Sequence, residues 1–111
     1  MTPLACNMNA FTPVERQRYQ TLTRALITQT MQRRELADGY AFRIEPAQAS
    51  IVDIAEWISY ERRCCPFFHF HLEIPAGDGD VWLSLTGDAG VKQFIVAELV
   101  ASRGATYESR T

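Results

Sequence analysis

The chain is short of the residues that advertise a function. Among its 111 residues there are three cysteines and two histidines, and no stretch of 18 apolar residues. The missing apolar run leaves nothing to span a membrane as a helix. An odd cysteine count argues against a secreted disulfide scaffold. An excess of charge of either sign is lacking: Lys plus Arg is 11 and Asp plus Glu is 13, a formal net charge of −2. That balance lacks the positive field of a general nucleic-acid binder. Met1 to Phe11 lacks the basic-then-apolar layout of a secretory signal, so the expected location is cytoplasmic. What is present is an ordinary globular composition, 47% hydrophobic and 22% charged, and one domain is the expectation.

Periodicity divides the chain into a loose arm, residues 1–11, and a single domain, residues 12–111. Thr12, Pro13 and Glu15 form a capping-box sequence that opens a helix. No Gly or Pro interrupts it before Asp38-Gly39, which predicts a helix of roughly 24 residues, about 36 Å long. A helix of that length overhangs so small a core, so its end is either solvated or meets a second copy of the protein in a homodimer. Tyr40 to Glu45 alternates as a strand, and residues 47–64 return to helical spacing with Ile51, Ile54, Ala55 and Ile58 on one face. Phe67–Ile74 and Val81–Thr86 read as a hairpin, and a last helix follows from Ala89 to about Ser102, capped by Asp88. The predicted fold is α+β, a two-layer sandwich with a long N-terminal helix followed by β-α-β-β-α. A short strand at 105–109 would make it ferredoxin-like.

Most of the available chemistry lies in Glu61-Arg62-Arg63-Cys64-Cys65-Pro66-Phe67-Phe68-His69-Phe70-His71. At helical spacing Glu61, Cys64 and Cys65 share one side of the helix end, with Trp57 one turn earlier. Two thiols beside a carboxylate could hold a soft metal ion through Cys64, Cys65 and Glu61, with Trp57 bordering the ligand site. Adjacent cysteines are not the usual zinc spacing. A disulfide between them is disfavoured too, because neighbouring Cα atoms lie about 3.8 Å apart and bridged ones usually about 4.4 Å or more. A vicinal dithiol can still chelate an ion that tolerates a narrow angle, such as arsenite. Against this, Cys65 continues an apolar stripe and could simply pack, while His69 and His71 fall on a polar strand face with Glu73. Cys6, in the arm, is assigned no role. Trp82 is expected at a sheet edge or a subunit contact.

The segment Glu61 to Phe68 resembles a group of small uncharacterised bacterial proteins with a central E-R-x-C-C-P-F pattern. The likeness extends to Glu35-Leu36, Gly39-Tyr40-Ala41-Phe42, Glu56-Trp57-Ile58, Trp82-Leu83, Leu85-Thr86-Gly87, Gly90-Val91-Lys92 and Phe94. The group carries no assigned activity. Similar cysteine pairs resemble segments of proteins linked to heavy-metal resistance, and the residues this resemblance transfers are Glu61, Cys64 and Cys65. Three readings follow. The first is a soft-metal or thiol-reactive ligand-binding protein. The second is a dimeric interaction module using the first helix and the Arg43, His71 and Trp82 sheet face. The third is a small enzyme using Glu61 and Cys64.

Overall fold

A computed structural model describes residues 6–44 and 51–100. The chain runs through a short 3-10 turn (Met8–Ala10), α1 (Pro13–Gln29), β1 (Thr30–Leu36), β2 (Gly39–Ile44) and α2 (Ile51–Cys64). It continues through β3 (His69–Glu73), β4 (Val81–Thr86), α3 (Val91–Ile95) and a π-helical turn (Val96–Val100). This is an α+β fold with one antiparallel sheet in the order β1-β2-β4-β3. Both β2 and β3 pair with β4, and α2 connects them as the crossover of a split β-α-β unit. No helix among the described residues is long and apolar enough to cross a membrane.

The capping box forms as the sequence predicts. The Thr12 N–H donates to Glu15 Oε1 at 3.0 Å, and the Glu15 N–H donates to Thr12 Oγ1 at 3.2 Å. The helix it opens is shorter than expected. It has 17 residues, about 25 Å of rise, and residues 30–36 leave it to form an edge strand. The reason is pairing: Leu36 faces Gly39 across a two-residue turn, so Asp38-Gly39 serves a hairpin and not a helix stop. Gly39 is needed there for space, since a Cβ would run into the Leu85 carbonyl on β4. The strand is polar because it is an edge. Its charged side chains lie over neighbours: Arg33 over Tyr40, Arg34 over Trp82, and Glu35 paired with Lys92. With β1 there, the free edge of β2 that a ferredoxin-like last strand would take is already occupied. The predicted strand at 105–109 lies outside the described residues.

Alternation along β4 buries Val81, Leu83 and Leu85 and turns Trp82, Ser84 and Thr86 to the opposite face. Trp82 therefore stands on an inner strand, not at the sheet edge. Helix α2 buries Ile54, Trp57, Glu61 and Cys64, a face rotated from the predicted one: Ile51 is exposed and so is Ala55. Trp57 and Phe70 on β3 meet edge to face. Phe67 and Phe68, which follow α2, meet Phe94. α3 begins at Val91 behind a left-handed Gly90, not behind an Asp88 side-chain cap. Its buried residues are Val91 and Ile95.

Candidate metal centre

The site begins with the end of α2. Spacings of three and four along 54, 57, 61 and 64 put the last two positions, a carboxyl and a thiol, on the same inward face as Ile54 and Trp57. The Cys65 N–H still donates to the Glu61 carbonyl at 2.7 Å, and Pro66 then stops the helix. Cys64 and Cys65 are both completely buried.

The third sulfur comes from the arm. Residues 6–11 are not loose: they dock against α2. The Asn7 N–H donates to the Cys64 carbonyl at 2.7 Å, and Arg63 donates to the Ala10 carbonyl at 2.8 Å. Phe11 is buried between Tyr19 and Tyr60, with the Arg63 guanidinium over its ring. Arg63 also pairs with Glu15, whose carboxyl it holds down at about 2. These contacts carry Cys6 to Cys65, with which it forms a disulfide across a Cα separation of 4.6 Å. Cys64 remains a free thiol, its Sγ 3.6 Å from that of Cys65. All three sulfurs lie within 4.8 Å of one another. Cys6 is half-buried, so it is the cluster's side toward solvent.

Glu61 lies in the same region but is not one of the clustered donors. Its carboxyl is buried and accepts a hydrogen bond from the Tyr19 hydroxyl at 2.5 Å. Burial pushes this carboxyl up to about 7, and the Tyr19 hydrogen bond opposes the shift. The Cys64 thiol is pushed up to about 11, first by burial and then by the nearby Glu61 charge, with the Tyr19 hydroxyl pulling the other way. Burial, followed by the Glu61 charge, also raises Tyr19. A thiol kept protonated at neutral pH is a poor nucleophile, which weighs against the enzymatic reading of Glu61 and Cys64. It remains a competent ligand, because a bound ion displaces the proton.

Of the residues singled out from sequence, Cys64 and Cys65 come together and Glu61 stands next to them with its own partner. Trp57 is part of the core, its Nε1–H donating to Thr23 Oγ1 at 2.9 Å. His69 and His71 are exposed on β3 and contribute nothing to the cluster. Cys6 and Tyr19 are the residues the sequence reading missed. The odd cysteine count pointed away from a bridge, yet Cys6 and Cys65 form one, and a lone tyrosine on an amphipathic helix offered no signal.

Removing the phenol tests the Tyr19–Glu61 pair directly. Tyr19→Phe leaves a buried carboxyl without its donor, which costs about 1–3 kcal/mol. It should also move the Glu61 titration above about 7, since that hydrogen bond lowers it. Carboxyl carbon shifts followed by NMR against pH report the change, and an unmoved midpoint contradicts the pairing. No protein-family model, curated protein or solved structure matches this chain, so the chemistry of the site rests on its own geometry.

Proposed function

We propose that the protein binds a soft, thiophilic ion with Cys6, Cys64 and Cys65 when the Cys6–Cys65 bridge is reduced. The observation that carries this reading is the convergence of all three cysteines of the chain, two of them sealed from solvent, within 4.8 Å of one another. Soft thiolate ligands select soft ions. With metal–sulfur bonds of about 2.3 Å, two sulfurs on one ion stand about 3.2–4.0 Å apart for angles of about 90–120°. The Cys64–Cys65 separation of 3.6 Å falls in that range. Besides the bridge, hydrogen bonds from the Asn7 N–H to the Cys64 carbonyl and from Arg63 to the Ala10 carbonyl tether the arm. In a reducing compartment the same fold would therefore present three thiols.

Cadmium is a convenient probe. Reduced protein titrated with cadmium(II) should develop sulfur-to-metal charge-transfer absorbance that saturates at one ion per chain and is lost in Cys64→Ser. Absence of that band in the wild-type protein refutes the reading.

The dimeric alternative loses the overhanging helix that motivated it, since α1 has 17 residues, and keeps only an outer sheet face on which His69, His71 and Glu73 are exposed. Two residues it relies on are already engaged within the chain: Arg43 with Asp80 and Gln32, and Trp82 with Arg34. Size exclusion over a range of concentrations tests it, a strictly monomeric protein counting against it.

A further inference from the structure

The cluster offers three donors of one kind. The chain has no fourth cysteine, and both histidines stand outside the group, exposed on β3. Structural zinc takes four ligands in a tetrahedron. Among the described residues no fourth histidine, cysteine or acidic ligand joins the three sulfurs. Glu61, whose charge acts on Cys64, has its carboxyl oriented by Tyr19.

Donor count and charge narrow the class further. Sulfurs 3.6 Å apart on bonds of about 2.3 Å subtend about 100°, which a three-coordinate pyramidal centre accepts as readily as a four-coordinate one, so the missing fourth donor and the charge decide. Three thiolates on a divalent ion would leave a net negative charge in a site that already holds a buried carboxyl, and buried charge without a partner is costly. The nearest arginine along the chain, Arg63, is engaged with Glu15 and the Ala10 carbonyl. A trivalent centre with three thiolates is neutral.

Resting on the soft-ion reading above, we infer that the ligand class is a trivalent group-15 oxyacid, arsenite or its antimony counterpart, bound through all three of Cys6, Cys64 and Cys65. A dithiol first reduces the bridge: it supplies two electrons and two protons and leaves as its own disulfide. Arsenous acid then condenses with three thiols. Three arsenic–oxygen bonds break and three arsenic–sulfur bonds form, and each thiol proton leaves with a hydroxyl as water. Arsenic stays trivalent, so no further oxidant or reductant enters. Cys6, half-buried at the solvent side, is the first sulfur the acid meets, and the buried pair completes the cage.

The test uses the full chain reduced with a phosphine, exposed separately to sodium arsenite, zinc chloride and cadmium chloride. Intact mass and thiol count are the readouts. One equivalent of arsenite should add the mass of one arsenic less three hydrogens and block all three thiols, and zinc should compete poorly. Each of Cys6→Ser and Cys64→Ser should weaken arsenite binding by at least about tenfold, the loss seen when even an outer-shell partner of a metal site is removed. An adduct that keeps a hydroxyl and consumes only two thiols overturns the inference, as does zinc that competes on equal terms. Mass and thiol count are read on the wild-type chain, so they decide the question even where a variant fails to fold. If cadmium protects the thiols and arsenite does not, this inference fails and the soft-ion reading stands. If neither does, both fail.

Discussion

Reducing the Cys6–Cys65 bridge is expected to destabilise the protein by about 4 kcal/mol, because the bridge closes a loop with a sequence separation of 59. The unfolded chain regains the entropy that the cross-link removes, whereas the arm's hydrogen bonds with Cys64 and Arg63 do not themselves involve the bridge. For a chain of this size such a loss lowers Tm by roughly 10–20 °C. Thermal unfolding with and without reductant measures it, with Cys6→Ser as a control that should melt at the lower temperature and ignore reductant. Equal melting temperatures for oxidised and reduced protein would mean that the bridge does not constrain the chain. A ligand that binds only the folded, reduced chain should restore part of the loss, about 2.7 kcal/mol at one hundred times its Kd.

A second large effect belongs to Glu61. Its carboxyl titrates near 4.5 when exposed and at about 7 in the fold, where burial disfavours the charge. Between those values the folded state binds more protons than the unfolded state. The stability associated with the protonated group is therefore complete below about 4.5 and is lost as pH rises through about 7. At about 1.4 kcal/mol per unit the loss comes to about 3 kcal/mol. Glu61→Gln keeps an oxygen for Tyr19 and cannot ionise. The variant should match the wild type near pH 4.5 and exceed its stability by about 3 kcal/mol at pH 8. Glu15 does not obscure the comparison. It is held down at about 2, so its own contribution is lost only as pH falls below the ordinary carboxylate range. Parallel urea-unfolding profiles for the two proteins across this window would mean that the carboxyl is not sealed.

Local signals in the sequence were legible where local chemistry decides. Thr12 and Glu15 cap α1 as written, and the alternation of Val81 to Thr86 gives β4 its residues. Signals that depend on distant partners were misread. Residues 30–36 carry no apolar alternation, because an edge strand is held by its ladder and by arginines lying over Tyr40 and Trp82. The inward face of α2 turned toward Trp57 and Glu61 because Tyr19 and Thr23 on α1 supply hydrogen-bond partners for them. The candidate site was half visible. Spacing gathers Glu61, Cys64 and Cys65 at one helix end, but 59 residues separate Cys6 from Cys65, and only the docking of Phe11 and the Arg63 bond to Ala10 carry it there.

Ion binding of the kind proposed requires that three sulfurs from two distant parts of the chain share one ion. X-ray absorption at the cadmium edge, on reduced protein loaded with one equivalent, reads that shell directly. Three sulfur neighbours are predicted; a shell of oxygen and nitrogen, or one with no more than two sulfurs, would contradict it.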